Sequence, residues 1–244
     1  MNKENYEKMI TVNRIMSRMR HDMVNMLNGI TGFSEVISLK SEGKDNIPDH
    51  CSRIVSTCED MAGLLENFSK FNGADRRNTT ELDLHEIISS TATLLSFSLG
   101  EDILIETQLK AENPLINGEA SEIRGLFLQL GKNSGEAMAG MDKTGAVRYI
   151  TSNILLDEEY CRENPFELIP GEFIQIRITD TGRGALPTAV DQFFDPYYTT
   201  TGNRNRGLGL TRIFYQIISL NGEIHIESEE GQGTVVTINL PVVR

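Results

Sequence analysis

The segment EFIQIRITDTGRG, residues 172–184, alternates apolar and polar residues and then ends in an aspartate followed by two glycines. Alternation with a period of two is typical of a half-buried strand, so residues 172–180 are predicted to form one. Asp180 lies at the end of that strand, where Gly182 and Gly184 let the backbone approach a planar ligand closely. An aspartate in this position can accept a hydrogen bond from an exocyclic amine. The pattern DxGxG is weak alone, because about one chain in ten of this composition would contain it by chance.

The rest of the chain after residue 80 mixes strands and helices. Alternating segments predict strands, and segments of helical period predict helices. The predicted strands are 102–109, 147–155, 223–230 and 234–240, and the predicted helices are 84–97, 120–138 and 210–220. Helices combined with largely antiparallel strands predict an α/β sandwich with helices on one face of the sheet.

The segment FFDPYYTTTGNRNR, residues 193–206, is too long for a simple connection and predicts either a functional lid or a disordered loop. Arg204 and Arg206 are its natural phosphate ligands, although a solvated surface is equally consistent with them. The sequence GLGL follows at 207–210, at the start of a predicted helix. Backbone N–H groups and the helix dipole can meet phosphate oxygens there.

Asn133 lies in the middle of the predicted helix 120–138. An amide on an amphipathic helix is usually a surface residue. If that helix faces the same pocket as Asp180, however, the amide oxygen is a suitable ligand for Mg²⁺ held against phosphates, because Mg²⁺ prefers hard oxygen ligands.

The first 73 residues have a different period. Apolar residues recur every three or four positions over 9–37 and again over 51–68, with a turn at 41–50. Each run is an a/d heptad seam, so the pair predicts an antiparallel helical hairpin. A hairpin with one apolar stripe per helix buries it best against a second copy, which predicts a dimeric four-helix bundle. A hairpin packed on the rest of the same chain is the alternative.

His21 lies in the first of these seams, beside Asp22 and one helical turn before Asn25. The heptad register places His21 at the outermost position, with Asn25 on nearly the same face. A histidine exposed there, beside a carboxylate and an amide, is suited to carry a transferable group. An ordinary surface histidine is the alternative interpretation.

Composition excludes some classes of partner. The chain has 244 residues and a formal net charge of −12, which disfavours binding to nucleic acid or to an anionic membrane. No run of 18 apolar residues and no signal-peptide pattern occurs, so a cytoplasmic protein without membrane contact is expected. The three cysteines contain no CxxC pair, which favours reduced thiols.

In their order along the chain, these motifs resemble those of the sensor histidine kinases of two-component systems. HDMVN is similar to the phosphoacceptor box, QLGKNSGEAM to the asparagine box and DTGRG to the first glycine box. FFDPYYTT resembles the phenylalanine box, GLGL the second glycine box and EEGQGTVVTINLP (229–241) the closing strands. LLENFSKF and NSGEAMAG are further similar to the nitrogen-regulation and hybrid-kinase branch.

The resemblance implies an α+β chain of two domains. Residues 1–73 would form the dimerisation and histidine phosphotransfer hairpin, 74–80 a linker, and 81–244 a catalytic ATP-binding domain. That domain would have the GHKL ATPase fold, which is shared with gyrase and the heat-shock chaperone ATPases. ATP and Mg²⁺ are the implied cofactors.

The resemblance also implies a role for each matching residue. His21 would accept the γ-phosphoryl group, Asp22 would orient its imidazole as general base, and Asn25 would position water that dephosphorylates a partner's aspartate. Asn133 would hold Mg²⁺ and Asp180 would read adenine. The nucleotide pocket would further include Gly182, Gly184, Thr200, Arg204, Arg206, Gly207, Leu208 and Gly209.

The implied activity is that of an ATP-dependent protein-histidine kinase. It would act as a homodimer and pass phosphate to the receiver domain of a response regulator, with phosphatase activity toward that regulator as a second expected role. Only about twenty residues precede His21, so a separate sensor protein or a sensor domain outside this chain is expected.

Two positions depart from the family pattern and keep a rival open. Gln129 stands where the family commonly has a second asparagine, and Thr201 where the branch usually has lysine. Arg204 or Arg206 would then supply the missing cation. The rival is a histidine phosphotransfer or scaffold protein with a degenerate ATP-binding domain. A GHKL ATPase or serine/threonine kinase of another class is a second alternative.

Overall fold

The computed structural model describes residues 27–32, 34–37, 47, 51–52, 54–55, 58, 79–141, 144–164, 166, 168–190, 192–194 and 209–243. The chain divides into two compact units. One is Glu7–Ala74, and the other includes Asp75–Arg244.

In the first unit, every described residue is helical. Cys51 and Cys58 are buried free cysteines. Ile30 and Ile54 belong to the two predicted seams and are 48% and 43% exposed within the single chain. The remainder of the predicted hairpin lies outside the described residues. Among the described helices, none is long and apolar enough to cross a lipid bilayer.

The second unit contains seven strands and five helices in its described part. The strands are β1 (Thr80–Asp83), β2 (Ile103–Leu109), β3 (Leu115–Gly118), β4 (Gly145–Leu156), β5 (Gly171–Asp180), β6 (Glu223–Glu229) and β7 (Gly233–Pro241). The helices are α1 (Leu84–Ser98), α2 (Ala120–Met138), α3 (Glu158–Glu163), α4 (Pro187–Val190) and α5 (Gly209–Ser219). All five strands and all three helices predicted after residue 80 are present.

The five longer strands form one mixed sheet in the order β2-β4-β5-β7-β6. Strands β2 and β4 are parallel, and the other neighbours are antiparallel. The short strands β1 and β3 form a separate antiparallel pair that the sequence did not predict. Strand β1 begins at Thr80, the last residue of the predicted linker. Local sequence patterns do not indicate this strand, because its partner lies more than thirty residues further along the chain.

The register of β5 decides which side of the sheet Asp180 occupies. Ile176 and Ile178 are almost completely buried, and Ile178 pairs with Tyr149 on β4. The Tyr149 hydroxyl donates to the Phe127 carbonyl of α2 over 3.0 Å, so this face of the sheet carries the helices. Because side chains alternate along a strand, Asp180 belongs to the same face.

Helix α2 is held closely between α1 and the sheet. A Cβ atom on Gly135 would lie 2.6 Å from Leu99 at the end of α1, and one on Gly131 would overlap Leu95. Glycine at both positions lets these leucine side chains pack directly against the backbone of α2. The position of α2 over the sheet is therefore set by packing on two sides, and this position determines where its polar residues face.

Candidate functional site

Asp180 is the centre of the candidate site and has three hydrogen-bond donors. Its Oδ1 accepts from the backbone N–H of Gly182 over 2.9 Å and from that of Thr234 over 3.2 Å. Its Oδ2 accepts from the Ser134 hydroxyl over 3.0 Å. A carboxylate offers about four acceptor positions. Within the described part of the chain, one position on Oδ2 therefore remains for a ligand.

Burial raises the pKa of Asp180 above its ordinary value, and hydrogen bonds from Gly182, Ser134 and Thr234 offset only part of that rise. The carboxylate is therefore poorly solvated. In such surroundings, a hydrogen bond from a ligand to an ionised acceptor is stronger than it is in water.

The two glycines after Asp180 are required by close backbone approaches. A Cβ atom on Gly182 would lie 2.8 Å from the Ala137 side chain at the end of α2. Gly184 has φ +62, and a Cβ there would overlap the backbone carbonyl of Glu229. Between them, Arg183 donates to carbonyls in the last turn of α2 through its backbone and guanidinium. The loop is therefore fixed to both α2 and the β6–β7 turn.

Three residues that complete this arrangement were not predicted from the sequence. Ser134 and Thr234 bind the carboxylate, and Gly233 lies directly against the Asp180 carbonyl with φ +93. A Cβ on Gly233 would overlap that carbonyl. The second glycine of EEGQGTVV, Gly233, was the available signal for a close backbone approach, but no neighbouring residue indicated that it lies against β5.

Asn133 and Gln129 lie one turn apart on α2. The Gln129 amide donates to Asn133 Oδ1 over 2.8 Å. A Cβ on Gly209 would lie 3.3 Å from the same Gln129 nitrogen, so the start of α5 is adjacent. The structure thus places Asn133 beside Gln129, Gln129 beside Gly209, and Ser134, the residue after Asn133, against Asp180.

These residues fit a magnesium ion held mainly by phosphates. Mg²⁺ in nucleotide sites usually has one or two protein ligands, with substrate phosphates and water completing its coordination. An amide oxygen with one hydrogen bond from Gln129 keeps a second lone pair for the ion. The described residues contain no cluster of three histidine, cysteine or acidic residues.

Helix α5 is anchored close to the start of the predicted lid. The Thr211 hydroxyl donates to the Phe194 carbonyl over 3.0 Å, and the rings of Phe194 and Phe214 are 5.2 Å apart. The described residues on the two sides of 195–208 are therefore held together by contacts of Phe194 with α5. The remaining predicted site residues lie outside the described residues; they are His21, Asp22, Asn25, Thr200, Arg204, Arg206, Gly207 and Leu208, together with the departure at Thr201.

Residues 145–244 match the family described as histidine kinase-, DNA gyrase B-, and HSP90-like ATPase. The part of the chain that carries four of the five strands of the mixed sheet is therefore similar to this ATPase family. The match covers β4 to the end of the chain and therefore includes Asp180, both of its glycines and α5.

Comparison of the whole chain extends this assignment. Sensor kinase CckA of Brucella abortus (strain 2308) is 24% identical over 237 residues, covering 96% of this chain and 25% of that protein. The sensory histidine kinase/phosphatase NtrB of Rhodobacter capsulatus is 26% identical over 222 residues, covering 91% of this chain and 60% of that protein. These relatives are named as a sensor kinase and a sensory histidine kinase/phosphatase, and the similarity to them covers more than nine-tenths of this chain.

A solved structure of full-length ShkA in complex with AMPPNP has the same fold, with a TM-score of 0.55 and 18% identity. The similarity covers 93% of this chain and 45% of that chain. The chain also spans only between a quarter and three-fifths of the length of the two curated relatives above.

Proposed function

We propose that this chain is an ATP-dependent protein-histidine kinase that phosphorylates His21 and passes the phosphoryl group to an aspartate of a response regulator. The observation that carries the proposal is the Asp180 carboxylate, which three donors among the described residues hold in place while one acceptor position is left by them. That arrangement suits the exocyclic amine of adenine. The AMPPNP complex of the related ShkA supports an adenine nucleotide as the ligand.

Asn133 would hold Mg²⁺ against the nucleotide's phosphates. The ion would supply charge neutralisation at the phosphoryl group, so the protein's own task is mainly to position the reactants. Gly209, at the start of α5, would direct backbone N–H groups toward phosphate oxygens. Arg204 and Arg206 would add positive charge, so replacing each with alanine should weaken ATP binding. Unchanged affinity in both variants would remove them from the site.

In the proposed transfer, a nitrogen of the neutral His21 imidazole attacks the γ-phosphorus. A phosphorus–nitrogen bond forms as the bond to the bridging oxygen breaks, and ADP leaves with that electron pair. Asp22 would orient the imidazole and take up its proton. Asn25 would position water for the reverse task, the removal of phosphate from the regulator.

A homodimer is proposed for the first unit, with the hairpins paired into a four-helix bundle. The exposure of Ile30 and Ile54 in the single chain supports it, because seam residues left open to water are available to a second copy. The other proposed partners are a receiver domain and a source of signal, either a separate sensor protein or a sensor domain. The cytoplasm is the proposed compartment, since ATP and a receiver domain would both be available there.

The deciding experiment incubates the chain with γ-labelled ATP and Mg²⁺, beside His21→Gln and Asp180→Asn. Acid-labile, alkali-stable label that is absent from both variants is the expected result. Label that persists in His21→Gln would overturn the histidine mechanism and indicate another class of GHKL kinase.

The second candidate is a histidine phosphotransfer or scaffold protein. The departures at Gln129 and Thr201 favour it, because the family commonly has a second asparagine at the first position and the branch usually has a lysine at the second. That candidate predicts no label from ATP, and loading of His21 by a phosphorylated receiver domain.

A further inference from the structure

Ser134 directly follows Asn133 on α2 and is only 6% exposed. Its hydroxyl donates over 3.0 Å to Asp180 Oδ2, the same oxygen whose second acceptor position is left for a ligand. Oδ1, in contrast, is held from the sheet side by the backbone of Gly182 and Thr234. Among the described residues, Ser134 therefore makes the one hydrogen bond that joins this carboxylate to α2.

We propose that Ser134 is a positioning residue for Asp180 and determines the preference of the site for adenine over guanine nucleotides. The inference rests on the proposed ATP site and adds a residue to it. The sequence comparison with the asparagine box assigned a role to Asn133 and none to its neighbour.

The chemistry of the two bases explains the preference. Adenine presents an amine at position 6 and needs an ionised carboxylate as acceptor, whereas guanine presents a carbonyl there and needs a donor. A protonated Asp180 would be such a donor. The hydroxyl of Ser134 stabilises the ionised form of Asp180 and fixes the direction of the vacant lone pair on Oδ2. Both effects favour the amine of adenine over the carbonyl of guanine.

The groups that face the carboxylate from every described side are uncharged. They are the Ser134 hydroxyl of α2, the Gly182 N–H of the following loop and the Thr234 N–H of β7. Burial raises the pKa of Asp180, and the bond from Ser134 is one of three that lower it. Removal of that bond should raise the pKa further.

The test measures the affinities of the full chain for ADP and GDP between pH 5 and pH 8 by calorimetry. In Ser134→Ala, the ratio of ADP to GDP affinity should fall about tenfold, the size expected for loss of a hydrogen bond to a charged group. The low-pH limb of ADP binding should also move to higher pH. Ser134→Thr keeps the hydroxyl and should restore most of the ratio.

Ser121→Ala is the matched control, because Ser121 donates to the Glu119 carboxylate over 2.6 Å at the exposed start of the same helix. It should change neither quantity. An unchanged ratio in Ser134→Ala, or equal weakening of both nucleotides together with a lower melting temperature, would overturn the inference. If the alanine variant does not fold, Ser134→Cys has nearly the same volume with a weak donor, and the same shift in ratio and pH limb is expected.

Asp180→Asn separates this inference from the function on which it depends. Loss of ADP binding in Asp180→Asn with no effect of Ser134→Ala would remove only the role of Ser134. Undiminished ADP binding in Asp180→Asn would remove the proposed nucleotide site itself.

Discussion

Two carboxylates at different strands of the same sheet, one half-buried and one fully buried, show how a site differs from a structural support. Asp180, at the end of β5, has three donors and a raised pKa. Glu223, at the start of β6, is fully buried and has four donors. A carboxylate has about four acceptor positions. The described donors therefore fill all those of Glu223 but leave one of Asp180 for a ligand.

The partners of Glu223 come from three directions. Oε1 accepts from the Tyr160 hydroxyl over 2.9 Å and from the Asn239 amide over 2.6 Å. Oε2 accepts from the Asn164 amide over 2.6 Å and from the His225 ring over 3.0 Å. Burial alone would raise the pKa of Glu223, but the bonds from His225, Asn239 and Tyr160 hold it below its usual value. The cluster thereby joins α3 and the residue after it to the edge of the sheet.

The largest effect on stability is expected for Glu223→Gln. Its amide would face the donors of Asn164 and His225, so two buried bonds would be replaced by donor–donor contacts. Unfolding should become about 4 kcal/mol easier in urea titration, the usual result of breaking a buried charged network. Glu106→Gln is the control, because its ion pair with Arg148 is partly exposed and should be worth less than about 1 kcal/mol. Equal losses in the two variants would contradict the special role of Glu223.

Asp180→Asn should show the opposite pattern, with function lost and the fold retained. Asparagine can still accept the two backbone N–H groups, and its amide can donate to Ser134, so the melting temperature should be unchanged or higher. Nucleotide affinity should fall about 100-fold, because a donor would then face the adenine amine. A large drop in melting temperature would show instead that Asp180 supports the fold as Glu223 does.

The pH dependence of stability should separate the two carboxylates by sign. The pKa of Glu223 is lowered in the fold, so its contribution is full above the ordinary value of 4.5 and is lost as pH falls through the folded value. The pKa of Asp180 is raised, so the penalty for burying its charge is relieved as pH falls. On acidification, the free energy of unfolding of the unchanged chain should therefore decrease relative to that of Glu223→Gln. It should increase relative to that of Asp180→Asn. Urea titrations between pH 3 and pH 7 would measure both slopes, the Glu223 slope below pH 4.5, and slopes of the same sign would contradict the comparison.

Tyr160→Phe should have the smallest effect, since it removes one of the four donors to Glu223. A loss of about 1 kcal/mol is expected, because water can reach part of this edge and replace the hydroxyl. Tyr160 is 40% exposed, consistent with that access. An effect as large as that of Glu223→Gln would mean that the hydroxyl dominates the cluster.

The elements after residue 80 that the sequence predicted are those with long local patterns. Strand β5 occupies Gly171–Asp180, one residue longer than predicted from alternation, and α1 extends the predicted helix by one residue to Ser98. Strands β1 and β3 have four residues each and too little pattern to detect. They form because Thr80–Asp83 pairs with Leu115–Gly118, a contact that no local window contains.

The candidate site divides in the same way. Asp180, Gly182 and Gly184 were predicted, because a strand followed by an acid and two glycines is a local signal. Ser134 and Thr234 were not, since they lie 46 and 54 residues from the carboxylate that they bind.

By itself, the sequence determined the kinds of element, the acid at a strand end and an order of motifs that resembles that of the sensor histidine kinases. Those features depend on neighbouring residues and can be read one segment at a time. Only the tertiary structure decided which acid keeps an acceptor for a ligand and which is fully occupied. The physical reason is that hydrogen-bond donors reach a buried carboxylate from whichever helices and strands pack beside it, and strand order and register set that packing.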